Sequence, residues 1–169
     1  MTEFTRLSAD TVLPLINLSV AQHQKHHVAP NAVTMAQSIF EPGSEIYGLW
    51  HEGSAIGLIA FIDLGHPNHI LETNESPDGF YIWRLMVSEE HQGKGHGRAA
   101  MIFAEQRCRA LNRAFLLLSV VDDDKSAIEF YEKLGYRRTG NIVDEEIELK
   151  KALTKTLPFT LNLQASAND

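Results

Sequence analysis

At 169 residues, with 44% hydrophobic and 22% charged positions, the chain has the composition of one globular domain with a sizeable core, which excludes wholesale disorder. Its formal charge of -7 argues against nucleic acid as a partner and suits a cationic small substrate. Cys108 stands alone, "MTEFTRLSAD" lacks a basic segment followed by an apolar core, and the longest apolar run, residues 55–62, is too short to span a bilayer, so no intrachain disulfide and a cytoplasmic, membrane-free setting are expected.

In chain order, residues 4–7 predict a short strand. Ser8 can cap a helix over 9–23, in which Val12, Leu15, Ile16 and Val20 recur at helical spacing. Pro30 stops that helix, and Asn31 can cap the next one over 32–40. "EIYGLWHEGSAIGLIAFIDL" reads as two strands joined in a hairpin with Gly53 near its tip. Residues 65–79, rich in turn formers and acids, predict a long surface loop. A strand over 80–87, a helix over 97–112 and a buried strand over 114–121 come next. Asp124 can cap a helix over 125–134 that Gly135 ends, and "EEIELKKAL" supplies a last strand. The fold class is therefore mixed α/β, in one domain over 1–152. In the tail, 153–169, Phe159, Leu161 and Leu163 alternate after Pro158, which predicts an added edge strand or an arm reaching a second subunit of a homodimer.

The segment "QGKGHGR" lies between a strand and a helix. A helix N-terminus presents unpaired amides and partial positive charge, and glycines let a phosphate approach them; Lys94 and Arg98 add charge. Two known phosphate loops do not fit. A P-loop needs Ser or Thr after its Lys, and Gly95 follows Lys94; the dinucleotide fingerprint needs Gly or Ala where Arg98 stands.

Gln92, Gly95 and Gly97 nonetheless match the acetyl-CoA motif of the GNAT superfamily of N-acetyltransferases, which the chain resembles. A second family signature, in the last helix, is met by Ala127, Tyr131 and Gly135 in "AIEFYEKLGY", with Tyr136 in place of Phe. The resemblance implies a central, mostly antiparallel sheet flanked by helices, with acetyl-CoA as cosubstrate. It implies cofactor contacts from the backbone of Leu85, Met86 and Val87, from the turn Gln92, Gly93, Lys94, Gly95, His96, Gly97 and Arg98, and from Asp124, which replaces the family's usual Asn. Tyr131 would be the general acid, since a phenol of pKa about 10 keeps its proton at neutral pH. "YIWRLMVSEEHQGKGHGRAAM" and "VAPN" look similar to bacterial diamine and spermidine N-acetyltransferases, which implies a small amine acceptor.

Around that site the residues leave alternatives open. The acceptor could instead be an aminoglycoside, an amino acid or a protein N-terminus, or the chain could be a non-catalytic acyl-CoA-binding regulator; Tyr131 leans towards an enzyme. Glu89, Glu90 and Asp122 are the nearby acids, and none is assigned as base. The acids Glu72, Glu75 and Asp78, with Glu41 and Glu45 before another strand, are expected to face a polycationic acceptor. His23, His26 and His27 have helical spacing, but no neighbouring carboxylate completes a metal site, so no metal is expected. His66 and His69 have no evident partner. Cys108, on a helix with Ala100, Ala104 and Leu111, reads as core and not as nucleophile.

Overall fold

The computed structural model describes residues 1–124 and 126–153. The elements are β1 (Glu3–Arg6), α1 (Val12–Ile16), a 3-10 turn (Gln22–Gln24), α2 (Asn31–Ser38), β2 (Ser44–His51), β3 (Ser54–Asp63), β4 (Gly79–Val87), a 3-10 turn (Glu89–His91), α3 (His96–Ala110), β5 (Phe115–Val120), α4 (Ile128–Lys133), β6 (Arg137–Val143) and β7 (Glu146–Ala152). The strands form one sheet in the order β1-β2-β3-β4-β5-β7-β6. Each neighbouring pair is antiparallel except β4 and β5, which are parallel and joined through α3. The expected mixed α/β, mostly antiparallel architecture is what the chain builds.

The sheet is covered on both faces. Along α3, Ala100, Met101, Ala104 and Cys108 recur at helical spacing and bury against Leu49, Ile59, Phe61, Phe80, Ile82, Leu116, Leu118 and Leu149. On the other face Ile46, Leu58, Ala60 and Met86 pack beneath Leu18, Val20, Val28 and Met35 from the segment holding α1 and α2. Cys108 is fully buried, and burial pushes its thiol up to about 12, as a core residue requires.

Two features set β4 apart from the other strands. Its ladder with β3 shifts between Ala60 and Phe61, which face Arg84 and Ile82, so Trp83 is the extra residue of a bulge. Its pairing with β5 covers only Gly79 to Ile82 against Phe115 to Leu118. Beyond those residues the two strands part, although β4 runs on to Val87.

Several sequence expectations change. The first helix spans 12–16 and not 9–23, because the chain beyond Asn17 turns extended and buries Ala21. Asn31 does not cap α2, whose N-cap is Pro30. Its 2%-exposed side chain reaches back instead, Nδ2 donating to the carbonyl of Leu15 at 2.8 Å, near the end of α1. The fourth helix starts at Ile128 with Ala127 as N-cap, so exposed Asp124 caps nothing. An unforeseen strand, β6, adds the far edge of the sheet. No helix among the described residues is long and apolar enough to cross a membrane. The expected tail strand, with Phe159, Leu161 and Leu163, lies outside the described residues.

Candidate active site

Where β4 and β5 part, the sheet opens onto a cavity of about 580 Å³. Its walls come from the C-terminal halves of both strands, the glycine turn, α4, Glu146 on β7, and residues 20–29 after α1.

The glycine turn forms one wall. The amide of Ser88 donates to Ile56 O at 2.8 Å, ending β4. Gln92 then braces the turn, its Nε2 donating to Val87 O at 2.9 Å and to Gln24 Oε1 at 2.7 Å. Gly93 and Gly95 have φ of 72° and 88°, in the left-handed region where a side chain is strained, and a Cβ at either would meet nothing within 4 Å. Gly95 is the N-cap of α3, and no side chain caps the helix. Bare first-turn amides, positive backbone partial charge and clear space above them fit a phosphate-bearing group. Gly97 and Arg98 also line the cavity.

Three of the expected contact residues are not part of the cavity wall. His96 turns inward, 6% exposed, with Nδ1 2.9 Å from Thr2 Oγ1 and its ring against His51 and His91. Burial, then those neighbouring imidazoles, lowers its pKa, so this residue offers the site only its amide. Lys94 is exposed and outside the cavity wall, as is Asp124. On β4, Leu85 and Val87 pack towards α3 while Met86 packs into the opposite layer, so side chains serve the core and backbone edges face the gap.

Tyr131 lies on the cavity wall from α4, against the rings of Phe130 and Tyr136. Its hydroxyl makes no hydrogen bond among the described residues. Burial, with a smaller contribution from Glu146, pushes its pKa up to about 12, so it is protonated at neutral pH.

Glu146 is a residue the sequence does not single out. It belongs to the last strand, in sequence a plain acid in "DEEIE", and only the pairing of β7 with β5 brings it to the gap. It accepts a hydrogen bond from Ser119 Oγ at 2.5 Å, and Ser119 Oγ lies 2.8 Å from the hydroxyl of Tyr81. Among the described residues it is the one carboxylate on the cavity wall. Arg84, beside the bulge, also lines the cavity. Its Nη1 donates to Trp83 O at 2.7 Å, while its buried Nε has no partner among the described residues; burial lowers its pKa.

The acids expected to meet substrate are elsewhere. Glu72, Glu75 and Asp78 belong to the loop before β4, at the other end of the strand from the glycine turn, and none lines the cavity. Glu75 is occupied by His69, 3.0 Å from Nε2, and by the amide of Glu72; Glu41 takes the other ring nitrogen at 3.2 Å. Glu45 is held bidentately by Arg107 of α3. Glu89, Glu90 and Asp122 also lie off the wall.

Residues 13–136 match the family model described as Acetyltransferase (GNAT) family. The chain belongs to this family. It is 28% identical over 95 residues to the spermidine N(1)-acetyltransferase of Escherichia coli (strain K12), covering 56% of this chain and 46% of that protein. The chain thus spans about half the length of this curated relative. The same fold is found in the GNAT domain of S. lividans PAT, with a TM-score of 0.71, 16% identity and 90% of each chain covered. It also recurs in the paia N-acetyltransferase of Thermoplasma acidophilum in complex with coenzyme A, with a TM-score of 0.63, 16% identity, and 90% and 99% of the chains covered.

Proposed function

We propose that this GNAT protein is an acetyl-CoA-dependent N-acetyltransferase that acetylates a primary amine of a small cationic acceptor, a polyamine or diamine. The observation that carries the reading is one cavity that joins the open glycine amides, the unpaired edge of β4, a protonated phenol and a single carboxylate. Acetyl-CoA, when bound, supplies an activated acyl group as a thioester. The first-turn amides of α3 and Arg98 would hold its phosphates, and the backbone of Leu85 to Val87 its extended arm.

The chain's own contribution is orientation and proton handling. An amine of pKa about 10 arrives as ammonium and must lose a proton before it can attack. Glu146, held by Ser119, is the group on the wall able to take that proton, directly or through water. Tyr131 keeps a proton on its phenol oxygen for a leaving thiolate. A phenol pushed up to about 12 donates poorly to a thiolate in water, where a thiol has a pKa of about 8.5. Away from water the thiol rises too, which narrows the gap between donor and acceptor.

The polyamine acceptor is supported by the similarity to spermidine N(1)-acetyltransferase and by the acidic charge of the chain. A second reading rests on Arg84. A half-buried guanidinium on the cavity wall, its Nε unpartnered among the described residues, suits an acceptor that carries a carboxylate beside its amine, such as an amino acid or a protein N-terminus. Free CoA release measured across spermidine, a diamine, a monoamine, an amino acid and a dipeptide decides between them. The proposal expects the highest kcat/KM with spermidine or the diamine. A preference for the amino acid or dipeptide that Arg84→Met abolishes would establish the second reading. Coenzyme binding without release from any amine would leave a regulator.

A further inference from the structure

The turn after α1 and the connection from β5 to α4 meet at the rim of the cavity through three side chains. His27 Nε2 lies 2.7 Å from Asp123 Oδ2, and His26 Nε2 lies 3.2 Å from the same oxygen. The two rings stand edge to face with centroids 4.1 Å apart, and the three ligand atoms all lie within 4.8 Å of one another. Consecutive residues ordinarily point apart. Here the turn that comes after the 3-10 helix, with His27 N donating to Gln24 O at 2.9 Å, brings both imidazoles to one side.

We infer that His26, His27 and Asp123 form a binding site for a divalent ion of the zinc class. The donor set, two imidazoles and one carboxylate, is borderline in softness and suits such ions above magnesium or calcium. Bonds of about 2.1 Å at tetrahedral angles hold ligand atoms about 3.4 Å apart. The observed 2.7 and 3.2 Å need to open only slightly to admit an ion. Binding uses the Nε2 lone pair of neutral imidazole, so the proton on Nε2 moves to Nδ1 or leaves to water as the ion replaces the bond to Asp123. His26 is 62% exposed in its side chain and Asp123 36%, so an ion reaches the cluster from solvent. Both histidines line the cavity, which leaves the fourth coordination position to water or to a ligand in the cavity. The ion would clasp the segment after α1 to the connection from β5 to α4 at the rim of the cavity.

The test uses the full chain, tag removed, stripped with chelator and titrated with zinc(II) by calorimetry and with cobalt(II) by visible absorbance. The expected result is one equivalent bound, with ligand-field bands of a low-coordinate nitrogen and oxygen site. His27→Ala and Asp123→Asn should each weaken binding at least about tenfold, since even partners outside the ligand set are worth that much. His23→Ala, in the same turn but outside the cluster, should leave it unchanged. Circular dichroism establishes that each variant is folded, and His26→Ala, at an exposed position, replaces any that is not. No binding by the wild type, or equal affinity in the folded cluster variants, overturns the site.

Discussion

Replacing Gly95 by Ala separates the cost to the fold from the cost to the ligand. In the free protein the added Cβ meets nothing within 4 Å, so the penalty is the left-handed backbone alone, φ 88°. That conformation costs an alanine about 1–2 kcal/mol, or about 2–8 °C of melting temperature in a chain of this size. With CoA present the methyl occupies the approach to the α3 amides. Losing one charge-assisted hydrogen bond there, worth about 1.5–3 kcal/mol, raises the dissociation constant about 10- to 150-fold. Gly97→Ala is the control for the backbone cost alone. Its φ is not positive, its Cβ would touch Phe130 Cζ at 3.4 Å, and the helix gains up to about 1 kcal/mol from the added methyl. Gly97→Ala should therefore melt no lower than wild type, and because Gly97 also lines the cavity its methyl too should weaken CoA binding. The assay is calorimetric titration of CoA at fixed ionic strength, paired with thermal melts. A folded Gly95→Ala protein that binds CoA as wild type does would refute the placement of phosphate on this turn.

Tyr131→Phe should lower turnover about 10²- to 10⁴-fold with little change in CoA affinity. Glu146→Gln should lower it too, again with little change in CoA affinity; unchanged turnover would remove Glu146 as the proton acceptor. His69 is nearly buried, and although burial alone would lower its pKa, its bonds to Glu75 and Glu41 outweigh that and raise it. A raised pKa means that its protonated form stabilises the fold in full below about pH 6.5, and that this is lost as pH rises through the higher folded value. The melting-temperature gap between wild type and His69→Gln should therefore be widest near pH 5.5 and narrow towards pH 8, and a gap that widens with pH would contradict the geometry. Cys108, fully buried and with its thiol pushed up to about 12, should react with a thiol reagent at pH 7.5 only as the protein unfolds; rapid labelling of folded protein would show the core to be open.

Much of the fold is written in local signals, and the misses have local causes. Strands β3 and β5 are continuous apolar runs, and α3 carries its buried residues at strict helical spacing, so all three are legible. β6 is not. Arg137, Arg138, Thr139 and Gly140 are exposed, so no alternation marks the strand. The hairpin to β7 turns through Asp144 and Glu145, both at positive φ, without the glycine that advertises such a turn. The apolar spacing overextends α1 because Val20 suits an extended segment as well as a helix. At the site, the glycine turn and Tyr131 are legible because each lies within a short motif. Glu146, Arg84 and the Asp123 partner of two histidines are not, since each acquires its setting from pairing or packing with a distant segment. The acidic loop misleads in the opposite sense: charge density says that acids are present, and not which way they face.

The parting of β4 from β5 gives the sheet two more edges than its outline suggests, both indoors. An outer edge has to be blunted against other chains, whereas these are screened by α3, α4 and the turn after α1. They offer a row of amides and carbonyls on one side and on the other, spaced for something as thin as a strand. A group completing such a row would be met through its own peptide-like bonds first. A ligand rich in amides would sit there as a short eighth strand, and its arrival would knit two half-sheets that four residue pairs now join.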